Sequence, residues 1–246
     1  IGENSKELAL EFAEEFKKHD EKVIFKNIGV NEETFLRSRG LRDYSFGDCW
    51  DSRFKYDDDS FAQAIVDLTK LESLKGSYFK TLRYHINSFK KEHGVSIKTF
   101  ISRRKKDALN IFSLWKKSFL NRYAKQLATN PLDAHSLELH ETYLNANYSM
   151  FDESQGVFSF LLYVDGAPKA FTLAEKVSDT TVGVYSNISS NEFQGLSECL
   201  VYETLCACAK EGFSFANLGG SEFSTLHNFK KKFATSFIQK KHLVLY

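Results

Sequence analysis

Proline and methionine are scarce in this sequence, whose 246 residues include two prolines and one methionine. Long apolar runs are missing too: the longest, such as Val157 to Val164, are of strand length and far short of the roughly 20 residues that a membrane-spanning helix needs. No charged segment followed by an apolar one, the mark of a secretion signal, follows the first residue, Ile1. We therefore expect a cytoplasmic protein without a membrane span, and its start suggests processing or truncation.

Cysteine and histidine are too few and too poorly spaced to predict a metal or redox centre. Three of the four cysteines, Cys199, Cys206 and Cys208, crowd one predicted helix without a C-x-x-C pair. Such thiols are typical of a core in a reducing compartment, and a C-x-C metal site is the weaker alternative because zinc ligands usually come as pairs in turns. His135 and His140 are five residues apart, whereas two ligands on one helix face are four apart. We expect no metal and no cofactor, and covalent catalysis lacks support.

Hydrophobic and aromatic residues are abundant, at 42% and 15%, which is ample for the core of one large domain or two modest ones. The net charge is only +1, yet residues 75–125, here called the basic segment, hold 14 Lys and Arg against 2 Asp and Glu. This asymmetry predicts a surface that meets phosphate groups. The alternative is a pair of solvated helix faces packed against the acidic flanks.

Apolar spacing predicts four helices and one strand before residue 95. They are a helix from Ser5 to Lys18, a strand from Val23 to Val30, a helix from the N-cap Asn31 to Arg39, a helix from Asp57–Ser60 to about Leu71, and a helix over Phe79 to Phe89 that ends at Gly94. The run Asp57-Asp58-Asp59 could hold a metal, but carboxylates at a helix start are favoured by the helix dipole and need no ligand.

From Val95 onward the predicted order is β-α-α-β-β-β-α-β-α-β, a mixed α/β (α+β) arrangement. The predicted strands are Val95–Ile101, Val157–Val164, Ala167–Val177, Thr181–Ile188, Phe213–Leu218 and Phe237–Leu245. The predicted helices are Lys105–Ala128, Ala134–Asn147, Phe193–Lys210 and Phe223–Phe233. The first hairpin turns tightly at Asp165-Gly166.

This order resembles that of GNAT acyltransferases, and two motifs sharpen the resemblance. Residues 217–222 read NLGGSE and residues 226–233 read LHNFKKKF, which resembles a signature shared by the carboxyl-terminal domains of phosphatidylglycerol lysyltransferases and by Fem-type aminoacyltransferases. Upstream, Leu74-Lys75-Gly76 and the RYHINSF of residues 83–89 resemble the lysyltransferase-like pattern, although Tyr84 stands where many relatives have Asn. The resemblance covers about residues 60–246. It implies a complete GNAT-like transferase domain over residues 95–246, preceded by a partial or shortened one over residues 1–94.

The donor is suggested by a departure from the GNAT pattern. Enzymes of this fold that use coenzyme A need a [Gln/Arg]-x-x-Gly-x-[Gly/Ala] loop at a helix start, where bare amides approach the pyrophosphate. The aligned residues here, 192–197, read EFQGLS, so that Gly195 alone matches a glycine and Glu192 places a negative charge where phosphate would lie. The remaining donor for the same reaction in these families is an aminoacyl-tRNA.

The resemblance also implies site residues. Lys230 of the FK motif is expected to stabilise a developing oxyanion or to hold the terminal phosphate of tRNA, the alternative being one solvated lysine in a run of three. Glu222 and Glu198 are candidates for the general base, although each could be an ordinary carboxylate near a helix start. The expected substrate-binding residues are Asn217, Gly219, Gly220, Ser221 and Gly195. The expected tRNA-phosphate contacts are Lys80, Arg83, Asn87, Arg103, Arg104, Lys105 and Lys106.

Three functions from different classes remain open. The leading one is aminoacyl transfer from aminoacyl-tRNA to an amine or hydroxyl, on a lipid headgroup, a peptide or a small amine. The first alternative is an acyl-CoA-dependent N-acyltransferase, which coenzyme A binding would distinguish. The second is a non-catalytic nucleic-acid-binding protein on a GNAT scaffold, which would transfer no acyl group.

Overall fold

The structure, a computed structural model, describes residues 5–19, 23–43, 62–72, 74–129, 156–190, 192–221, 224–238 and 241–245. The helices in these ranges are α1 (Ser5–Lys17), α2 (Val30–Ser38), α3 (Leu68–Glu72), α4 (Lys80–Glu92), α5 (Lys105–Thr129), α6 (Leu196–Lys210) and α7 (Ser224–Lys231). The strands are β1 (Val23–Ile28), β2 (Arg42–Asp43), β3 (Gln63–Asp67), β4 (Val95–Thr99), β5 (Val157–Val164), β6 (Ala167–Lys176), β7 (Thr181–Ser189), β8 (Phe215–Asn217), β9 (Ser236–Ile238) and β10 (Lys241–Leu245). Within these ranges, no helix is both long enough and apolar enough to cross a bilayer.

The strands form two sheets, one of three strands in the order β1-β10-β2 and one of seven in the order β4-β5-β6-β7-β8-β3-β9. The predicted hairpin at Asp165-Gly166 is confirmed: both residues have positive φ, 51° and 83°, as a tight turn between antiparallel strands requires. Both sheets take strands from either side of residue 94, since β3 lies between β8 and β9 while β10 joins β1 and β2. The division into two domains at residue 94 stays a prediction.

The central parallel pair of the large sheet separates part-way along. β7 pairs with β8 only from Thr181 opposite Phe215 to Gly183 opposite Asn217. β7 then continues beside β6 to Ser189, whereas β8 ends at Asn217. A gap between these two strands is the feature expected of a GNAT-like fold, and the predicted fold class is confirmed.

Helices cover the seven-stranded sheet on both faces. Leu161 and Leu162 are neighbours on β5, so their side chains point to opposite faces. Leu161 belongs to the core cluster that contains Ile111 and Phe112 of α5. Leu162 belongs to the cluster that contains Phe89 of α4 together with the first turns of α6. Helices α4 and α6 therefore pack on one face of the sheet and α5 packs on the other.

Two predictions of secondary structure were wrong. Residues 63–67 of the helix predicted to Leu71 form strand β3, because this segment pairs with β8 on one side and β9 on the other. Only its last residues are helical, in α3. The single strand predicted over Phe237–Leu245 is two strands in different sheets, β9 against β3 and β10 against β1. Pairing partners far away in sequence decided both outcomes, and local periodicity carries no information about them.

Other predicted elements agree with the structure or lie outside its ranges. The helix predicted from Asn31 begins one residue earlier, and its N-cap is Gly29, which makes no side-chain cap hydrogen bond. The start of the helix predicted from Asp57–Ser60, the helix Ala134–Asn147 and both histidines within the latter lie outside the described residues. Cys199 and Cys208 are buried on α6, and burial raises the pKa of each thiol to about 12, which suits core thiols.

Candidate functional site

The first element of the site is the Gly-Gly turn that follows β8. Gly219 has a φ of 73°, which glycine adopts without steric cost, and its N–H donates to the Asn217 side-chain Oδ1 at 2.8 Å. The Asn217 Nδ2 in turn donates to Oε1 of Gln63 on β3 at 2.9 Å. Backbone bonds of 2.9 and 3.1 Å tie Leu218 N–H and Gly219 C=O to Ala64. Asn217 therefore shapes the turn, with both ends of its amide group engaged.

Lys230 on α7 reaches back to this turn. Its Nζ donates to the backbone carbonyl of Gly220, and it lies 3.8 Å from the position that a Cβ would take on Gly219. The two motifs separated in sequence, LGGS and FKKKF, thus meet at one ammonium group. Lys230 is half-buried, whereas Lys231 and Lys232 are exposed, so the three lysines of the run have different surroundings.

Ser221 closes the turn. Its side chain is fully buried, and its Oγ has no hydrogen-bond partner among the described residues. A buried hydroxyl without a partner costs free energy unless something else binds it. The Ser221 hydroxyl therefore lies buried beside the Gly-Gly turn with a hydrogen-bonding capacity that no described residue uses.

Of the two candidate general bases, Glu198 is engaged in an ion pair. Glu198, in the first turn of α6, accepts from Lys232 Nζ at 2.7 Å, and its side chain is only 13% exposed. This ion pair brings the start of α6 to the end of α7. Glu198 is thus a partner of Lys232, a role that the sequence did not predict. Glu222 lies outside the described residues.

The loop before α6 is held by its own ion pair. Glu192 accepts from Lys169 Nζ at 2.7 Å and from Ser190 Oγ at 2.9 Å, and the pKa of its carboxyl is lowered, first by the Lys169 bond and then by Ser190. Gly195 is the N-cap of α6 with a φ of 87°, and its Cβ position lies 3.6 Å from the His85 carbonyl oxygen of α4. A carboxylate and its lysine therefore occupy the turn where a coenzyme A pyrophosphate loop would be expected.

The predicted phosphate contacts do not form one surface. Lys80 and Asn87 are exposed on α4, while Arg103 and Lys106 are exposed at the start of α5, and these helices cover opposite faces of the sheet. Lys105 is half-buried at the start of α5.

Two of the predicted arginines also donate to backbone carbonyls. Arg83 donates to the carbonyl of Leu74, whose φ is 45°, and lies 3.4 Å from the carbonyl of Gly76. Arg104 donates to the carbonyl of Thr99. Both arginines therefore hold local turns, whatever else they bind.

Sequence reasoning missed three residues that shape the site. Gln63 was missed because its segment was predicted to be helical. Lys169 stands on β6, far in sequence from Glu192, and no local motif includes it. Lys232 was considered only as one of the lysines beside Lys230. Residues two positions apart in a helical segment point in different directions, so a separate partner for Lys232 could have been expected.

The separated central strands and the Gly-Gly turn at the end of β8 give this chain a GNAT-like fold, and its family makes it an enzyme of the acyltransferase type. A model of the family "Phosphatidylglycerol lysyltransferase, C-terminal" matches residues 1–245. The chain belongs to that family, and the predicted resemblance is confirmed.

Solved structures show the same fold at low sequence identity. A conserved protein of unknown function from Bacteroides thetaiotaomicron is 18% identical with a TM-score of 0.74, the match covering 98% of this chain and 75% of that one. L-PGS from Bacillus licheniformis is 14% identical with a TM-score of 0.66, covering 100% and 74%. FemX is 13% identical with a TM-score of 0.51, covering 99% and 78%. No protein of curated function matches the sequence significantly.

Proposed function

We propose that this protein transfers an aminoacyl group from aminoacyl-tRNA to an acceptor hydroxyl or amine at the Gly-Gly turn. The acceptor oxygen or nitrogen attacks the ester carbonyl and forms the new bond, the acceptor proton leaves to a base, and the ester bond breaks to return the terminal ribose hydroxyl of the tRNA. Such a reaction needs mainly positioning and support for the transient oxyanion.

The observation that carries the proposal is the position of Lys230. Its ammonium is half-buried against the turn, where it donates to the Gly220 carbonyl and places a positive charge beside the Gly-Gly backbone. A carbonyl oxygen that becomes an oxyanion next to this group would gain a charged donor. The buried Ser221 hydroxyl supplies a second polar group at the same turn.

The loop before α6 supports aminoacyl-tRNA over coenzyme A as the donor. Coenzyme A binding in this fold uses bare amides in an anion-binding turn at a helix N-terminus. Here Glu192 stands in that loop, and the nearby Lys169 is already paired with it. A pyrophosphate would have to displace this pair, whereas the ester of an aminoacyl-tRNA places no phosphate there.

The acceptor is proposed from the family. The family name specifies phosphatidylglycerol, and the headgroup of that lipid offers a hydroxyl of the kind that the reaction needs. A peptide amine or a small amine remains the alternative acceptor. It is supported by the motifs that resemble Fem-type aminoacyltransferases and by the fold shared with FemX.

A second candidate, an acyl-CoA-dependent N-acyltransferase, is favoured by one observation. Helix α6 begins at Gly195 without a side-chain cap hydrogen bond, so the N–H groups of its first turn are not capped by a side chain. Uncapped amides at the start of a 15-residue helix attract anions. This start of the helix would suit a pyrophosphate if the Glu192–Lys169 pair opened.

One pair of measurements separates the candidates. The protein is incubated with total tRNA charged with radiolabelled amino acids and with vesicles that contain phosphatidylglycerol, and separately with a short diamine. We expect label in the lipid or amine fraction, together with no heat of acetyl-CoA binding at concentrations that saturate GNAT acetyltransferases. Micromolar acetyl-CoA binding without transfer from tRNA would reject the proposal in favour of the second candidate.

A further inference from the structure

The Gln63 side chain touches the site from a strand that no motif marks. Gln63 is the first residue of β3, and its side chain is buried, with the residue 8% exposed. Strand β3 is inserted between β8 and β9, so it borders both the Gly-Gly turn and the segment after α7. On that second side, the N–H of Thr235 donates to the Ile65 carbonyl at 2.8 Å.

The chemistry of this contact fixes which way the Asn217 amide points. The backbone N–H of Gly219 can only donate, so Asn217 must turn its oxygen toward it, at 2.8 Å. The amino end of Asn217 then points to Gln63 and requires an acceptor there, which is the Gln63 Oε1 at 2.9 Å. If Asn217 rotated by half a turn, two donors would face each other at Gly219, and the contact with Gln63 would survive only if the Gln63 amide rotated too.

We propose that Gln63 is a positioning residue of the transfer site, which holds the Asn217 amide in the orientation that shapes the Gly219–Gly220 turn for Lys230. The inference rests on the proposed function, because the turn matters to catalysis only if Lys230 acts there. Without an acceptor at position 63 the Asn217 amide keeps only its bond with Gly219, so it is held at one end instead of two. The turn that carries Gly220, the partner of Lys230, then becomes less well defined. The side chain comes from the amino-terminal part of the chain, so the site is incomplete without it.

The test compares two variants of the full chain. Gln63→Met keeps a long side chain but removes the acceptor, whereas Gln63→Glu keeps an acceptor oxygen. The protein is labelled with ¹⁵N-glycine, which gives at most 13 backbone signals, and exchange of the Gly219 amide with solvent is followed without substrates. We expect Gln63→Met to speed Gly219 exchange by about tenfold, the effect of losing one hydrogen bond, and Gln63→Glu to remain within about threefold of the unmodified protein.

Activity gives the second readout. Gln63→Met should lower kcat by about tenfold with KM unchanged, since the turn acts on the transition state, and Gln63→Glu should restore most of it. Unchanged Gly219 exchange in Gln63→Met, or equal losses in both variants, would overturn the proposal. If the unmodified protein transfers nothing from aminoacyl-tRNA, the proposed function fails, while the exchange data still decide whether Gln63 orients the turn.

A double variant separates orientation from simple packing. Asn217→Ala removes both hydrogen bonds of the Asn217 side chain, so residue 63 can no longer act through that side chain. Adding Gln63→Met to Asn217→Ala should therefore leave Gly219 exchange within about threefold of Asn217→Ala alone. A further tenfold increase in the double variant would mean that Gln63 acts through packing, and would also overturn the proposal.

Discussion

At the scale of single residues, neighbours in sequence have different roles because they face different partners. Lys230 bonds to the Gly220 carbonyl, Lys232 pairs with Glu198, and Lys231 is exposed with its backbone carbonyl 2.7 Å from the Tyr78 hydroxyl. The sequence motif treats these lysines as a run. Their different surroundings allow a comparison of three substitutions that each remove one charge.

Replacing Lys230 by Ala should lower the rate of transfer by roughly 10² to 10³ fold, the usual cost of losing one oxyanion donor. The measurement is single-turnover transfer from charged tRNA, with thermal unfolding to verify the fold. Lys231→Ala is the matched control, because it removes the same charge from the same helix while leaving the Gly-Gly turn untouched. Equal losses for both variants would assign the effect to general charge.

At the scale of elements, the turn before α4 depends on a side chain predicted to bind phosphate. Leu74 has a φ of 45° and Gly76 a φ of 90°, and Arg83 of α4 donates to the Leu74 carbonyl and lies near that of Gly76. A positive φ is costly for leucine, so the turn needs such support. The basic character of α4 is therefore partly structural. Its exposed lysines Lys80 and Lys91 lie elsewhere on the helix.

Arg83→Ala should destabilise the protein by about 1–2 kcal/mol, since it removes a charged donor from a part-buried carbonyl. At this chain length the melting temperature should fall by about 2–8 °C. Lys80→Ala, at the exposed start of the same helix, should change the melting temperature by less than about 2 °C. If Arg83→Ala leaves stability unchanged but weakens tRNA binding, the structural role is wrong and the phosphate-binding expectation stands.

At the scale of the whole molecule, the seven-stranded sheet divides the basic segment between two surfaces. The exposed cations of α4 lie on the face that also carries α6, and those at the start of α5 lie on the opposite face. The Tyr78 hydroxyl, just before α4, contacts carbonyl oxygens of Lys231 and Ala234 at 2.7 and 2.6 Å, so the α4 surface adjoins α7 and Lys230. If the protein uses aminoacyl-tRNA as proposed, we expect the tRNA to contact the α4 surface.

The double replacement Lys80→Ala with Lys91→Ala should flatten the salt dependence of tRNA binding by roughly one to two units, because each lost phosphate contact removes about 0.7 to 0.9 from the slope. The matched double replacement, Arg103→Ala with Lys106→Ala, removes the same charge from the opposite face and should leave the slope unchanged. Anisotropy titrations against bulk tRNA at several salt concentrations measure both. A flattened slope for the α5 pair alone would place the tRNA on the other face.

The sequence by itself determined most of the local elements, the order of strands and helices from Val157 to Lys231, and the two motifs that resemble the family. Apolar spacing specified α4 through Leu82, Ile86 and Phe89, and turn chemistry specified the hairpin at Asp165-Gly166, because these signals act within a few residues. The motifs also nominated Lys230 and the Gly-Gly turn as parts of one site.

Only the tertiary structure decided which distant segments meet. Strand β3 was predicted to be helical, yet it pairs with β8, 148 to 152 positions away, and Gln63 thereby reaches Asn217. The closing residues divide between two sheets, and the basic segment between two faces, for the same physical reason. Hydrogen bonds and burial gained across the chain outweigh local propensity, and periodicity within a window of residues does not encode the partner.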